Sequence, residues 1–332
     1  MSRYERQIRF APFGEHGQTA LSHAQILIMG AGALGSHVAA QLARMGARNL
    51  YIVDMDIIET SNLHRQSLYT EEDADNMLPK VEAIKQHIQH INSEVNVTTF
   101  YQEVESSTIE ALLTSVQPDI VIDGMDHFKI RYLINEVCHK YQIPWVYGAA
   151  VGSKGTVYGI DFKGPCLKCL LQYIPETGES CAINGVLPPI ISQVASYEVM
   201  EAVRYLIGVG FSKQLITLDV FNVSYKAMNV DVLQDDNCQV CVQGYYEILE
   251  TKQQTHIENL CGKTYLFRFQ THAFDYAHHF PGHIIKETPF AKLIHYQNYR
   301  MTLFEDGRMN VYGVTNNEEA QQLYHQFLKA LK

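Results

Sequence analysis

Between Gln25 and Gln66 the chain sets two kinds of anion-binding chemistry almost side by side. An apolar run, Ile26-Leu27-Ile28-Met29, enters Gly30-Ala31-Gly32-Ala33-Leu34-Gly35, and a helical pattern then runs to Gly46. A second apolar strand, Leu50 to Val53, ends at Asp54. Strand, glycine turn, helix, strand and acid, in that order, give a GxGxxG spacing its chemical meaning. Gly30, Gly32 and Gly35 let backbone N–H groups approach an anion at the helix start, and Asp54 is placed for a ribose hydroxyl. Alone, this implies NAD. Soon after Asp54, however, comes Asn62-Leu63-His64-Arg65-Gln66, a polar and basic loop for which hydride transfer has no obvious use. Cationic and amide donors beyond a glycine turn suit a triphosphate, which separates an ATP-using enzyme from a dehydrogenase.

Two cysteine pairs, Cys166-x-x-Cys169 and Cys238-x-x-Cys241, are the second signal. Each pair can fill two corners of a tetrahedral Zn²⁺ site, and four thiolates close such a site to water, which makes it structural. Turn residues precede each pair, as in zinc knuckles. The spacing is not expected to open a helix after a strand, so a thioredoxin-like redox role is the weaker reading. Lys80, just after Pro79, faces the glycine rim if the sheet order is as read, where a cation would bind phosphates; the plainer reading is a solvated surface lysine. Asp126 suits Mg²⁺, which takes one or two carboxylates plus phosphate oxygens, or else caps the helix beginning near His127. Cys181, in Glu179-Ser180-Cys181-Ala182, is a candidate nucleophile or sulfur acceptor, or a packing cysteine. Cys138 reads as core. His272, His278, His279, His283 and His295 lack regular ligand spacing and read as solvated.

The elements that must position these groups alternate. Helix 14–23, the strand–helix–strand unit 25–53, a helix from Pro79, a strand Val95–Tyr101 and a helix from Ser106 to Val116 capped by Ser106 or Ser107 come first. Strand Asp119–Asp123, helix His127–Tyr141 and strand Trp145–Ala150 follow. Such alternation implies right-handed crossovers and a mostly parallel sheet, with ligands outside the C-terminal strand ends. Gly35, Asp54 and Asp126 all fall on that rim. Gly155–Phe162 and Leu215–Val232 lack intervening helices, so the sheet continues with antiparallel members, around a polar stretch (Ile174–Asn184) and an apolar helix, Pro188–Gly208. The expected fold class is α/β: a Rossmann-like, mostly parallel sheet running into antiparallel strands, a zinc-knuckle site, and a small C-terminal α+β appendage. The expected domains are 1–243, with a nucleotide half of about 1–150 and a zinc and carrier half of about 151–243, and then 244–332. The latter carries a hairpin signal at Glu305-Asp306-Gly307 and a final helix, Asn317–Leu331.

Composition sets the bounds. The chain has 332 residues, a net charge of −10, and no long basic run, which argues against nucleic acid or acidic membranes as partners. No stretch approaches the roughly 18 apolar residues of a membrane span, and the polar N-terminus lacks a signal peptide's apolar segment. A cytoplasmic protein is expected, in which seven cysteines read as metal ligands or thiol chemistry before disulfides.

In order, the chain carries Arg6-Gln7, GxGxxG, Asp54, Asn62-Leu63-His64-Arg65-Gln66, Pro79-Lys80-Val81, Asp123-Gly124-Met125-Asp126 and the two CxxC pairs. Over residues 3–243 it resembles the HesA/MoeB/ThiF family, ubiquitin-activating-enzyme-like adenylyltransferases of molybdopterin and thiamin biosynthesis. The resemblance implies that ATP and Mg²⁺ adenylate the C-terminal Gly-Gly carboxylate of a small ubiquitin-like sulfur-carrier protein, which a sulfur-donor protein then converts to a thiocarboxylate. It implies that the glycine turn, Asp54, Asp56 and Asn62 bind the nucleotide, with Asp54 on the ribose, and that Arg65, Gln66 and Lys80 attend the phosphates. Asp126 would hold Mg²⁺, the cysteine quartet Zn²⁺, and Arg6 would reach the partner's ATP in an obligate homodimer. Cys181 matches a crossover-loop cysteine used covalently by some relatives and dispensable in others. Two departures stand out: His127 replaces the usual Asn after the metal aspartate, and Cys261 lacks the surroundings of a rhodanese loop, so no rhodanese activity is expected. Competing readings are an NAD-dependent oxidoreductase, a tRNA-adenylating dehydratase disfavoured by the acidic balance, and a non-catalytic carrier-binding scaffold.

Overall fold

A computed structural model describes residues 3–171, 185–251, 255–260 and 264–331. It divides into two compact units, Met1–Ala74 with Pro79–Lys252, and Asp75–Leu78 with Gln253–Lys332. Cys181, Cys261 and the polar stretch Ile174–Asn184 lie outside the described residues.

In the first unit the strands are β1 (Gln25–Met29), β2 (Asn49–Asp54), β3 (Asn96–Tyr101), β4 (Ile120–Asp123), β5 (Trp145–Val151), β6 (Lys154–Ile160), β7 (Gln214–Asp219) and β8 (Ser224–Asn229). Among the described residues they form one sheet in the order β3-β2-β1-β4-β5-β6-β7-β8. The pairs from β3 to β5 are parallel and those from β5 to β8 antiparallel, as the loss of intervening helices implied. Burial explains the first half: Ile26, Leu27, Ile28, Met29, Ile120, Val121 and Ile122 are all inaccessible, the apolar run of a strand covered on both faces. Only Gly152 and Ser153 separate β5 from β6, and Gly152 takes a φ of +61°, so the chain reverses in a tight turn.

Strand order reverses between β1 and β4, the chain leaving β1 for β2 on one side while β4 packs on the other. In open α/β sheets the crevice at such a switch point is where ligands bind. Backbones meet closely there. A Cβ on Gly30, whose φ is +94°, would lie 2.6 Å from the Gly124 carbonyl oxygen, and one on Gly35 would lie 1.9 Å from the Gly30 carbonyl oxygen. The helix Ala33–Met45 therefore packs onto the turn only because these positions lack side chains.

Two local expectations are corrected. The helix expected from Ser106 begins at Ile109 with Thr108 at its N-cap position, while the Ser107 hydroxyl donates to Glu105 and that of Ser106 to the Thr251 carbonyl. The first cysteine pair does open a helix, the short Leu167–Leu171 after β6.

The second unit contains a six-stranded antiparallel sheet among its described residues: β9 (Ile257–Leu260), β10 (Thr264–Arg268), β11 (His283–Glu287), β12 (Ala291–Tyr296), β13 (Tyr299–Phe304) and β14 (Arg308–Tyr312), ordered β11-β12-β13-β14-β10-β9. Sequence reading found only its last hairpin. The helix Asn317–Ala330 starts where the Asn316 side chain accepts from the Glu319 N–H at 2.9 Å. Its Leu323, Tyr324 and Phe327 join Phe267, Met301 and Leu303 in one core.

Candidate active site

The glycine turn is anchored from several directions. The Gly30 N–H donates to the Val53 carbonyl at 2.8 Å, and the Gly124 N–H to the Met29 carbonyl at 2.6 Å, tying the turn to β2 and β4. Asp54 Oδ2 accepts from the Ala31 N–H and Oδ1 from the Asp56 N–H, each at 2.7 Å. Burial raises the Asp54 carboxyl above its ordinary value, and the nearby Lys80 ammonium opposes that rise. Gly32, by contrast, is open: a Cβ there would meet nothing nearer than 4.0 Å.

Lys80 is the main correction to the surface reading. It is the first residue of the helix Lys80–Ile91, with only 7% of its side chain accessible, and its Nζ donates to Asp56 Oδ2 at 2.8 Å. Its N–H also donates to the Asp56 carbonyl, at 2.9 Å. Burial alone would lower the ammonium, but Asp56, Asp54 and Asp126 outweigh it and hold the group firmly protonated.

Asp126 lies just past β4 with 75% of its side chain accessible, and His127 Nε2 stands 3.7 Å from its Oδ1. The capping alternative fails, because the helix Phe128–Tyr141 has His127 at its N-cap position. Beneath this loop the buried Arg131 donates to Asp123 Oδ2 at 2.7 Å, to the Met125 carbonyl, and to the Gly148 carbonyl at 2.8 Å. One guanidinium thus fixes the segment from which Asp126 projects.

Arg65 is half-buried, and its Nη2 donates to Asn62 Oδ1 at 2.7 Å. Gln66 is buried, and its Oε1, an acceptor, has no hydrogen-bond partner among the described residues. Arg6 is exposed on the short helix Glu5–Ile8. Sequence reading missed Arg131, Gly124 and Tyr69, whose hydroxyl donates to the Ala31 carbonyl at 2.6 Å. The Asp123-Gly124 pair at a strand end signalled a tight turn there, but nothing marked Tyr69.

The four cysteines meet as expected. Their sulfurs all lie within 4.8 Å of one another, with Cys166–Cys169, Cys166–Cys238 and Cys169–Cys241 separations of 3.9, 3.7 and 3.6 Å. Four thiolates about 2.3 Å from one tetrahedral ion stand about 3.8 Å apart, so the set fits zinc. The crossing of the two pairs, rather than their helix context, rules out a thioredoxin-like arrangement. Cys138 is buried in the main core, and His272, His278, His279, His283 and His295 are exposed.

A glycine turn at the switch point of an α/β sheet, a buried lysine among carboxylates and a cysteine quartet with the spacing to hold one metal ion stand together in this unit. The ThiF family model matches residues 4–240, and the chain belongs to that family. The sulfur carrier protein ThiS adenylyltransferase of Bacillus subtilis (strain 168) is 33% identical over 334 residues, covering 98% of this chain and 99% of that protein. The molybdopterin-synthase adenylyltransferase of Escherichia coli (strain K12) is 32% identical over 247 residues, 73% of this chain and 97% of that one. The fold is shared with the crystal structure of E. coli MccB with ATP, at a TM-score of 0.62 and 21% identity over 72% of this chain and 74% of the other.

Proposed function

We propose that this chain is an ATP-dependent adenylyltransferase that activates the C-terminal Gly-Gly carboxylate of a small ubiquitin-like sulfur-carrier protein. The carboxylate oxygen attacks the α-phosphorus, pyrophosphate leaves, and the acyl-adenylate is open to a sulfur donor. The observation that carries this reading over NAD chemistry is Lys80, a buried ammonium held protonated beside the glycine turn. Hydride transfer has no use for it, whereas a departing pyrophosphate does.

In this reading the glycine turn, Asp54 and Asn62 hold the nucleoside side, while Arg65, Gln66 and Lys80 attend the phosphates. Mg²⁺ bound with ATP would offset charge on the phosphate oxygens, and the exposed Asp126 is its ligand. Zn²⁺ on the cysteine quartet is structural. Arg6 reaches the neighbouring subunit's ATP in a homodimer, and the reading places the protein in the cytoplasm; no helix among the described residues is long and apolar enough to cross a membrane. Similarity along the whole chain to the ThiS-activating protein, against 73% for the molybdopterin relative, favours a thiamin-type carrier. Cys181 keeps its two readings, covalent partner of the carrier or bystander. Calorimetric titration separates the cofactor classes: ATP·Mg binds and NAD does not, and the opposite result restores the oxidoreductase reading.

A further inference from the structure

Ala31 is gripped on both of its backbone polar groups. Its N–H donates to Asp54 Oδ2 at 2.7 Å, and its carbonyl accepts from the Tyr69 hydroxyl at 2.6 Å. That carbonyl shares a peptide plane with the Gly32 N–H. In a trans peptide the two point in opposite directions, so a donor that fixes the oxygen also fixes the amide hydrogen. The Gly32 N–H thus points away from Tyr69. It has no hydrogen-bond partner among the described residues, and a Cβ on Gly32 would meet the Gly124 carbonyl oxygen no closer than 4.0 Å.

We propose that Tyr69 is a positioning residue of the nucleotide site: by holding the Ala31 carbonyl it aims the Gly32 amide at the phosphates. Tyr69 suits the task. It is 7% exposed, and it directly precedes Thr70, whose N–H and hydroxyl donate to Asp73 Oδ2 at 2.8 and 2.9 Å as the helix Glu71–Asp75 begins. Its backbone is therefore as firmly set as its hydroxyl. Burial, reinforced by Asp54, Asp73 and Asp56, keeps the phenol protonated and able to donate. Because Tyr69 follows Arg65 and Gln66 in one short segment, it also ties the cationic loop to the glycine turn. A preorganised amide does not have to be turned toward the anion at the moment of binding.

The proposal rests on the ATP reading and deepens it. Its test is the isosteric Tyr69→Phe in the full chain, titrated with ATP·Mg and with adenosine. Affinity for ATP should fall about tenfold, as when one oriented donor to an anion is lost, while adenosine affinity stays within about twofold. In pyrophosphate exchange the loss should appear in KM for ATP more than in kcat. Hydrogen exchange of the peptide spanning Gly30 to Leu34 should quicken in the nucleotide-free variant, which follows the amide's orientation without any ligand. Unchanged ATP affinity and unchanged exchange would overturn the proposal and leave the ATP reading standing; so would equal losses for ATP and adenosine, which mark general damage to the site. Failure of the unaltered chain to bind ATP removes both.

Discussion

Lys80 Nζ lies 2.8 Å from Asp56 Oδ2, yet 7% of the lysine side chain is accessible against 38% of the aspartate side chain. The pair is open at one end only. A buried charge is tolerable when a partner compensates it, and here the carboxylates of Asp54 and Asp126 add to that of Asp56. The same ammonium is well placed to meet phosphate charge.

Lys80→Ala should slow carrier-dependent pyrophosphate exchange by about 10²-fold or more, the usual scale for losing such a cation. A pH signature should accompany it. Burial already raises Asp54, and removing the ammonium that opposes the rise lifts it further. A raised carboxyl contributes stability that is present below its unfolded value and lost as pH climbs through the folded value. The variant's deficit in Tm against the unaltered protein should therefore grow from pH 5 toward about pH 7, above the ordinary carboxyl range. A deficit that shrinks with rising pH would contradict the electrostatic account.

Glu198, on the helix Pro188–Leu206, is fully buried with neither carboxyl oxygen partnered among the described residues. Burial pushes its carboxyl well up, Asp123 adds to the rise and Arg131 opposes it. The neutral acid stabilises the fold below the unfolded value, and that contribution is lost as pH rises, by at most about 1.4 kcal/mol per pH unit. Glu198→Gln, neutral at every pH, should match the unaltered protein near pH 5 and exceed its Tm near pH 8. Parallel Tm–pH curves would show that Glu198 does not titrate in this range.

Metal analysis should find one zinc per chain, lost in Cys166→Ser or Cys238→Ser. Closing a loop of about 70 residues restricts the unfolded chain, so these variants should lose Tm and soluble yield more than activity per folded molecule. Iron, or no metal in reduced protein, overturns the assignment.

If Arg6 supplies a cation in trans and Asp126 holds magnesium, as proposed, Arg6→Ala and Asp126→Ala should each be nearly inactive. Mixed under subunit exchange, they should recover up to about a quarter of the unaltered activity, since half the dimers are mixed and each of those has one complete site. No recovery despite proven exchange would place Arg6 in its own subunit's site or in none.

The sequence made the parallel half legible because its signals are local: Ile26–Met29 and Ile120–Asp123 are buried runs, and Gly30 and Gly35 mark a turn that admits no side chain. The cysteine quartet was legible too, since thiol pairs at that spacing have few other uses. What escaped depends on distant partners. Lys80 reads as a surface residue until Asp56, far along the chain, is seen beside it. Tyr69 looks ordinary until Ala31 is set beneath its hydroxyl. In the tail, Asp306-Gly307 announced one hairpin, whereas β9 and β11 carry charged or half-exposed residues such as Glu258 and Lys286 that blur the alternation. The open rim of the crevice could be located from local pattern; its electrostatics could not.

The central claim is that ATP is spent on a protein carboxylate. Incubation of the chain with ATP, Mg²⁺ and a candidate ubiquitin-like carrier ending in Gly-Gly, followed by intact-mass analysis, measures it directly. The account predicts a carrier heavier by one adenylate, labelled pyrophosphate exchanging into ATP only when that carrier is present, and neither signal when the terminal glycine is deleted or Asp126 is replaced by Ala. ATP turnover that proceeds without any carrier, or a carrier mass that never changes while ATP binds, would contradict it.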